Sequence, residues 1–119
     1  SGKYDEHTTF AEDDHRTYNR EGKAFDIGET FAGVPFETGL EAVRRLAPLV
    51  PEDATMAQFA LRWIIDQPGV STVIPGARNV EQARSNAAAA ALPPLTAREL
   101  EGVEAVYQEL IAPEVAGRW

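Results

Sequence analysis

Residues Gly69-Val70-Ser71-Thr72-Val73-Ile74-Pro75-Gly76-Ala77-Arg78-Asn79 decide how this chain is read. Val70 to Ile74 is a β-branched run bounded by Pro68-Gly69 on one side and Pro75-Gly76 on the other, the composition of one short strand closed by turns. Val73 and Ile74 are apolar at consecutive positions, the pattern of a parallel strand covered on both faces. No other segment reads as convincingly as a strand. Each unpaired donor or acceptor in a buried strand costs about 1–3 kcal/mol. A strand over 70–75 therefore requires neighbours from another chain or from sequence beyond this one.

Outward from that run the chain reads as helices. Four Ser/Thr/Asn residues are followed three positions later by Glu or Gln, the reciprocal capping box of a helix start: Thr38/Glu41, Thr55/Gln58, Asn79/Gln82 and Thr96/Glu99. After Thr38, the residues Leu40, Val43, Leu46 and Ala47 share a face. After Thr55, the positions Met56, Phe59, Ala60, Trp63 and Ile64 do so, and the reading expects this helix to be buried on a broad face, with Trp63 packed against its support. The segment after Asn79 is alanine-rich, with high helix propensity and little side-chain bulk. After Thr96 the face is Leu100, Val103, Tyr107, Leu110 and Ile111. The predicted organisation is a single partial domain over 1–119, with a loop over 1–36, helices within 37–67, a strand over 70–75 and helices over 79–90 and 96–111.

The 1–36 segment holds eight carboxylates and no sustained apolar period, so it reads as a long surface loop with one short helical turn. The group Glu12-Asp13-Asp14-His15, with His7 upstream, matches neither a zinc motif nor an EF-hand spacing and reads as solvated acid rather than a metal site. Arg44-Arg45 reads as an exposed or ion-paired couple. In composition, 19 acidic against 11 basic residues give a formal charge of −8, which removes the electrostatic footprint of a nucleic-acid or anionic-membrane binder. The absence of cysteine excludes disulfides, thiolate metal sites and a cysteine nucleophile. No apolar run approaches the roughly 20 residues of a membrane helix, and a cytoplasmic location is expected. Met56 is the only methionine, so the reading expects further chain ahead of Ser1.

The chemistry-bearing stretch is Ile74 to Asn79, where an extended segment turns directly into a helix amino terminus. Free amides and the positive end of the helix dipole there favour an anion. Gly76 permits close approach to the backbone, and Arg78 offers a planar fork of donors for a phosphate. Gln82 and Asn86, four apart, project along one face of the helix that follows. On spacing alone the motif is weak, and an ordinary strand-to-helix turn with a cap is the favoured reading.

The residues Ala60-Leu61-Arg62-Trp63, then Val70 to Gln82, then Asn86, together with the opening Ser1-Gly2-Lys3-Tyr4, resemble the C-terminal region of the aldo-keto reductases. The branch most similar is the one shared by bacterial oxidoreductases and the potassium-channel β subunits. The resemblance implies an α/β fold: the C-terminal fragment of a (β/α)8 TIM barrel, mostly helical in this piece, with one parallel strand as its eighth. It implies NADPH over the carboxyl ends of the strands. Gly76, Ala77, Arg78, Gln82 and Asn86 would hold the adenosine and its 2′-phosphate, and Lys3, Tyr18 and Arg20 the pyrophosphate region. Ser85 stands where many members have glutamate, Gly76 where others have lysine and Gln82 where others have arginine, which leaves Arg78 as the main cation for the 2′-phosphate. The family's Asp, Tyr, Lys and His tetrad has no counterpart here, so no catalytic residue is named and the chain alone is expected to be inactive. The expected partners are the remaining N-terminal part of the barrel and a small carbonyl substrate. The competing expectation is a non-catalytic helical interaction or regulatory module that self-associates.

Overall fold

The computed structural model describes residues 5–19 and 33–117, without the side chains of His15 and Tyr18. Within them lie helices α1 (His15–Tyr18), α2 (Phe36–Leu46), α3 (Met56–Ile65), α4 (Val80–Ala88), α5 (Ala97–Val106) and α6 (Ala112–Val115). Short 3-10 turns extend α2 over Ala47–Leu49 and α4 over Ala89–Ala91, and a π-helical segment, Tyr107–Ile111, joins α5 to α6. The helices pack in two groups: α2 against α5 and the π segment, and α3 against α4 and its 3-10 extension.

No strand occurs among the described residues, which corrects the expected strand over 70–75. The β-branched run is irregular and open: Ile74 is 91% exposed and Val70 is exposed as well. The reason is that a strand is defined by its neighbours. β-Branched composition favours an extended backbone, but nothing among the described residues pairs with it.

Local chemistry explains the helix starts. At Thr55 the capping box closes, with the Gln58 amide donating to Thr55 Oγ1 at 3.2 Å and the Thr55 amide to Gln58 Oε1 at 3.0 Å. At Thr96 it closes again, with the Thr96 amide donating to Glu99 Oε2 at 2.6 Å. At Asn79 only half forms: the Gln82 amide donates to Asn79 Oδ1 at 2.8 Å, while Gln82 Oε1 accepts from Arg78 instead of Asn79. The Thr38/Glu41 box does not form. α2 starts two residues earlier, at Phe36, after Pro35 with φ −55°. Phe36 is buried and meets the Phe10 ring edge-on at 6.4 Å, so packing anchors the helix ahead of the polar signal. Past α3 the chain turns at Gly69, whose φ of +86° lies where a Cβ is strained.

The expected core faces are only partly buried. On α3, Phe59 is buried, but Met56 and Trp63 are half-buried and Ala60 is exposed. On α5, Val106 is buried, while Leu100 and, at the start of the π segment, Tyr107 remain 43% and 42% exposed. The last helix also changes form where sequence periodicity expected one regular run to 111. Pro113 has no amide to donate back to Glu109, and the backbone ahead of it loosens into the π segment before α6 resumes. α5 approaches the 47–49 turn closely at Gly102, where a Cβ would lie 2.6 Å from Leu49 Cδ1.

The Thr96 cap supplies a first prediction. Thr96→Ala removes the acceptor for the Glu99 amide, and stability should fall by about 1 kcal/mol, with Thr96→Ser close to wild type. Urea denaturation measures both; equal midpoints for the alanine variant and wild type would sink the expectation.

Candidate functional site

The site is assembled on the loop 74–79 and the first two turns of α4. Two side chains of α4 reach back to the loop. Asn86 Nδ2 donates to the Gly76 carbonyl at 3.1 Å, and Gln82 Oε1 accepts from the Arg78 amide at 2.9 Å. The four-residue spacing that puts Gln82 and Asn86 on one face therefore gathers them with Gly76 and Arg78. Ala77 lies between the two tied positions and is exposed.

The loop's donors suit an anion. Arg78 is exposed and has no ion pair among the described residues, so its guanidinium fork is available. With Gln82 Oε1 committed to the loop, its Nε2 is the end left to donate. The Asn79 cap satisfies the Gln82 amide, and the Val80 and Glu81 amides ahead of it have no intrahelical acceptor. One carboxylate, Glu81, stands in the first turn of α4.

Of the other expected contacts, Lys3 and Arg20 lie outside the described residues. Tyr18 closes α1, and its side chain is likewise outside them. The acidic group is not gathered: Asp14 pairs with Arg16, whose Nε donates to Asp14 Oδ1 at 2.8 Å and whose guanidinium lies 4.4 Å from the Phe10 ring centroid. No group of three or more His, Cys, Asp or Glu side chains suited to a metal occurs among the described residues. Arg44 pairs with Glu6 and Arg45 with Glu109, the latter at 2.6 Å, tying α2 to the N-terminal segment and the π segment.

Two residues of α3 bear on the site in ways that sequence reading did not assign. Gln58, read only as a capping residue, also donates from Nε2 to the Ser85 carbonyl at 3.0 Å. Arg62 donates from one terminal nitrogen to the carbonyls of Ala90 at 3.0 Å and Leu92 at 3.3 Å. The signal was the polar stripe Gln58, Arg62, Asp66 at four-residue spacing on an otherwise apolar helix.

Arg62 also pairs with Asp66, with Nε 3.0 Å from Oδ2. The hydrogen bond from Arg62 holds the Asp66 carboxyl below its ordinary value of 3.8 and in turn raises Arg62. A carboxyl with a lowered folded-state pKa binds its proton later in the folded chain than in the unfolded one. Its contribution to stability is thus complete above pH 3.8 and fades as the pH falls below it. Asp66→Asn should flatten the acid-unfolding profile in that range only; superimposable profiles of variant and wild type below that pH would contradict this.

Apart from the residues of this site, an apolar cleft of about 320 Å³ opens between α2, α3, α5 and the π segment, lined by Leu46, Phe59, Trp63, Val103 and Tyr107 among others. No helix among the described residues is long and apolar enough to cross a membrane.

The model of the Aldo/keto reductase family matches residues 1–108. Among curated proteins, uncharacterized oxidoreductases of Mycobacterium tuberculosis strains H37Rv and CDC 1551 and of Mycobacterium bovis are each 48% identical over 60 residues, covering 44% of this chain and 18% of the relative. The matched region is thus less than one-fifth of those relatives' length. No solved structure matches. With the family model spanning all but the last eleven residues, and the loop-and-helix site falling inside it, the chain belongs to the aldo/keto reductase family.

Proposed function

We propose that this chain is the C-terminal, cofactor-holding part of an NADPH-dependent aldo-keto reductase whose TIM-barrel parent reduces aldehydes or ketones to alcohols. The observation that carries the reading is the pair of clamps from Asn86 to Gly76 and from Arg78 to Gln82, which present Arg78 ahead of α4. Those donors fit a phosphate monoester. Arg78 supplies a bidentate charged contact, Gln82 Nε2 a neutral donor, and the first amides of α4 the helix-dipole end. Gly76 and Ala77 keep the approach free of bulk. Bound there, NADPH would supply a hydride for the carbonyl carbon; this chain's residues bind and orient its adenosine end, with Lys3, Tyr18 and Arg20 on the pyrophosphate side.

The proton donor of the tetrad belongs to the remaining barrel, so the chain alone is expected to bind incompletely and to catalyse nothing. The exposed Ile74 and Val80 and the half-open cleft at Trp63 are apolar surfaces suited to contact with that remaining part. A cytoplasmic location accords with NADPH as the reductant.

The reading is tested on the full-length reductase. NADPH should quench tryptophan fluorescence saturably, with a dissociation constant on the order of micromolar, and small aldehydes should be consumed with matching loss of reduced nicotinamide. No response up to millimolar cofactor would remove the proposal.

A further inference from the structure

We propose that Gln58 is a positioning residue for the cofactor, acting through α4; this rests on the NADPH reading above. The two ends of its amide serve two helices. Oε1 accepts from the Thr55 amide at 3.0 Å and closes the box that starts α3, while Nε2 donates to the Ser85 carbonyl at 3.0 Å. That carbonyl is open to it because α4 tightens at its end: the Ala89 amide turns to Asn86 and Ala87 instead of reaching back four residues to Ser85.

The point of attachment matters. Ser85 precedes Asn86, which holds the Gly76 carbonyl, and follows Gln82 by three residues, which holds the Arg78 amide. The bond from α3 therefore enters α4 on the turn from which both loop clamps project. Four residues along α3, Arg62 grips the carbonyls of Ala90 and Leu92 beyond the end of α4. Two anchors separated along the axis prevent α4 from sliding or rolling on α3. The placement of the Arg78 guanidinium relative to a bound phosphate is then inherited from α3 through Gln58, and contacts of this kind lose strength with small displacements.

The two duties of Gln58 separate chemically. Gln58→Glu keeps an acceptor for the Thr55 amide, glutamate being a natural partner in this box, but a carboxylate cannot donate to the Ser85 carbonyl. Gln58→Lys keeps a donor for Ser85 and loses the acceptor. In the full-length reductase, Gln58→Glu should raise KM for NADPH about 3- to 10-fold, the range of a single lost hydrogen bond. kcat and KM for the carbonyl substrate should stay within about twofold. Gln58→Lys should bring KM for NADPH back towards wild type while lowering the melting temperature. Thr96→Ala, which weakens a cap on α5 away from the site, serves as the control for lost stability and should leave KM for NADPH unchanged.

If KM for NADPH follows the melting temperature across the three variants, Gln58 is only a structural residue and the proposal is overturned. An unchanged KM in Gln58→Glu, with wild type binding NADPH normally, overturns this proposal and leaves the cofactor reading intact. Failure of wild type to bind NADPH overturns both.

Discussion

Replacing Phe59 by alanine is expected to lower the stability of this chain by about 3–5 kcal/mol, the cost of emptying a buried phenyl site whose surroundings relax only in part. Phe59 is 5% exposed and is the one buried side chain of α3. It lines the apolar cleft on one side, with Leu46 and Trp63, and on the other a smaller hollow of about 120 Å³ beside Leu92, Pro93 and Leu95. Removing it would join two spaces that it now separates, so collapse around the vacancy has few atoms to draw on. A domain is stable by only about 5–15 kcal/mol, and the substitution consumes much of that. Phe59→Leu, which keeps most of the apolar volume, should cost less than half as much. Denaturation midpoints measure both, with an unchanged slope showing that the unfolded reference has not moved. A loss below about 1 kcal/mol for Phe59→Ala would show that this packing does not hold α3 in place.

The second large effect is expected at Arg78. On the proposed NADPH reading, Arg78→Ala in the full-length protein should weaken NADPH binding about 10- to 100-fold while changing NADH binding by less than about twofold, because only NADPH carries the 2′-phosphate that a charged bidentate contact would meet. Arg78 is exposed and has no carboxylate partner among the described residues, so removal leaves no orphaned charge and little change in stability. The contact is partly screened, and the difference between wild type and variant should shrink as ionic strength rises. Arg78→Lys should recover part of the affinity, since a point charge replaces a planar fork. Equal losses for NADPH and NADH would place Arg78 elsewhere than at the 2′-phosphate.

The two effects report different layers of the same construction. Phe59 sits between Gln58 and Arg62 on α3, and those two side chains carry the hydrogen bonds that reach α4. Weakening the seat of α3 is therefore expected to loosen α4 as well, whereas Arg78 stands at the surface, and its removal is expected to leave the frame undisturbed. A variant of each kind, measured for both stability and cofactor affinity, separates the frame from the contact.

How far the residues could be read depends on the range of the interaction involved. The caps at Thr55 and Thr96 were legible because each is closed by atoms three residues apart. The face shared by Gln82 and Asn86 was legible from helical periodicity. Thr38 misled because a more distant contact, Phe36 against Phe10, competes with a local signal and starts the helix earlier. At Asn79, half of the box went to Arg78 instead, since Gln82 can reach an amide one residue further back.

The sequence alone established the helix starts at Thr55 and Thr96, the turn at Gly69, and, through several separated motifs taken together, a resemblance to the family whose model matches residues 1–108. The folded chain settled matters that depend on distant partners. Val70 to Ile74 has the composition of a strand and lies open, because pairing is a property of two segments and no partner occurs among the described residues. Gln58 has the position of a cap and is also a bridge, because the carbonyl it meets belongs to a residue 27 positions away. Composition and spacing carry the preferences of a segment, and the choice among them is made by the surfaces brought against it.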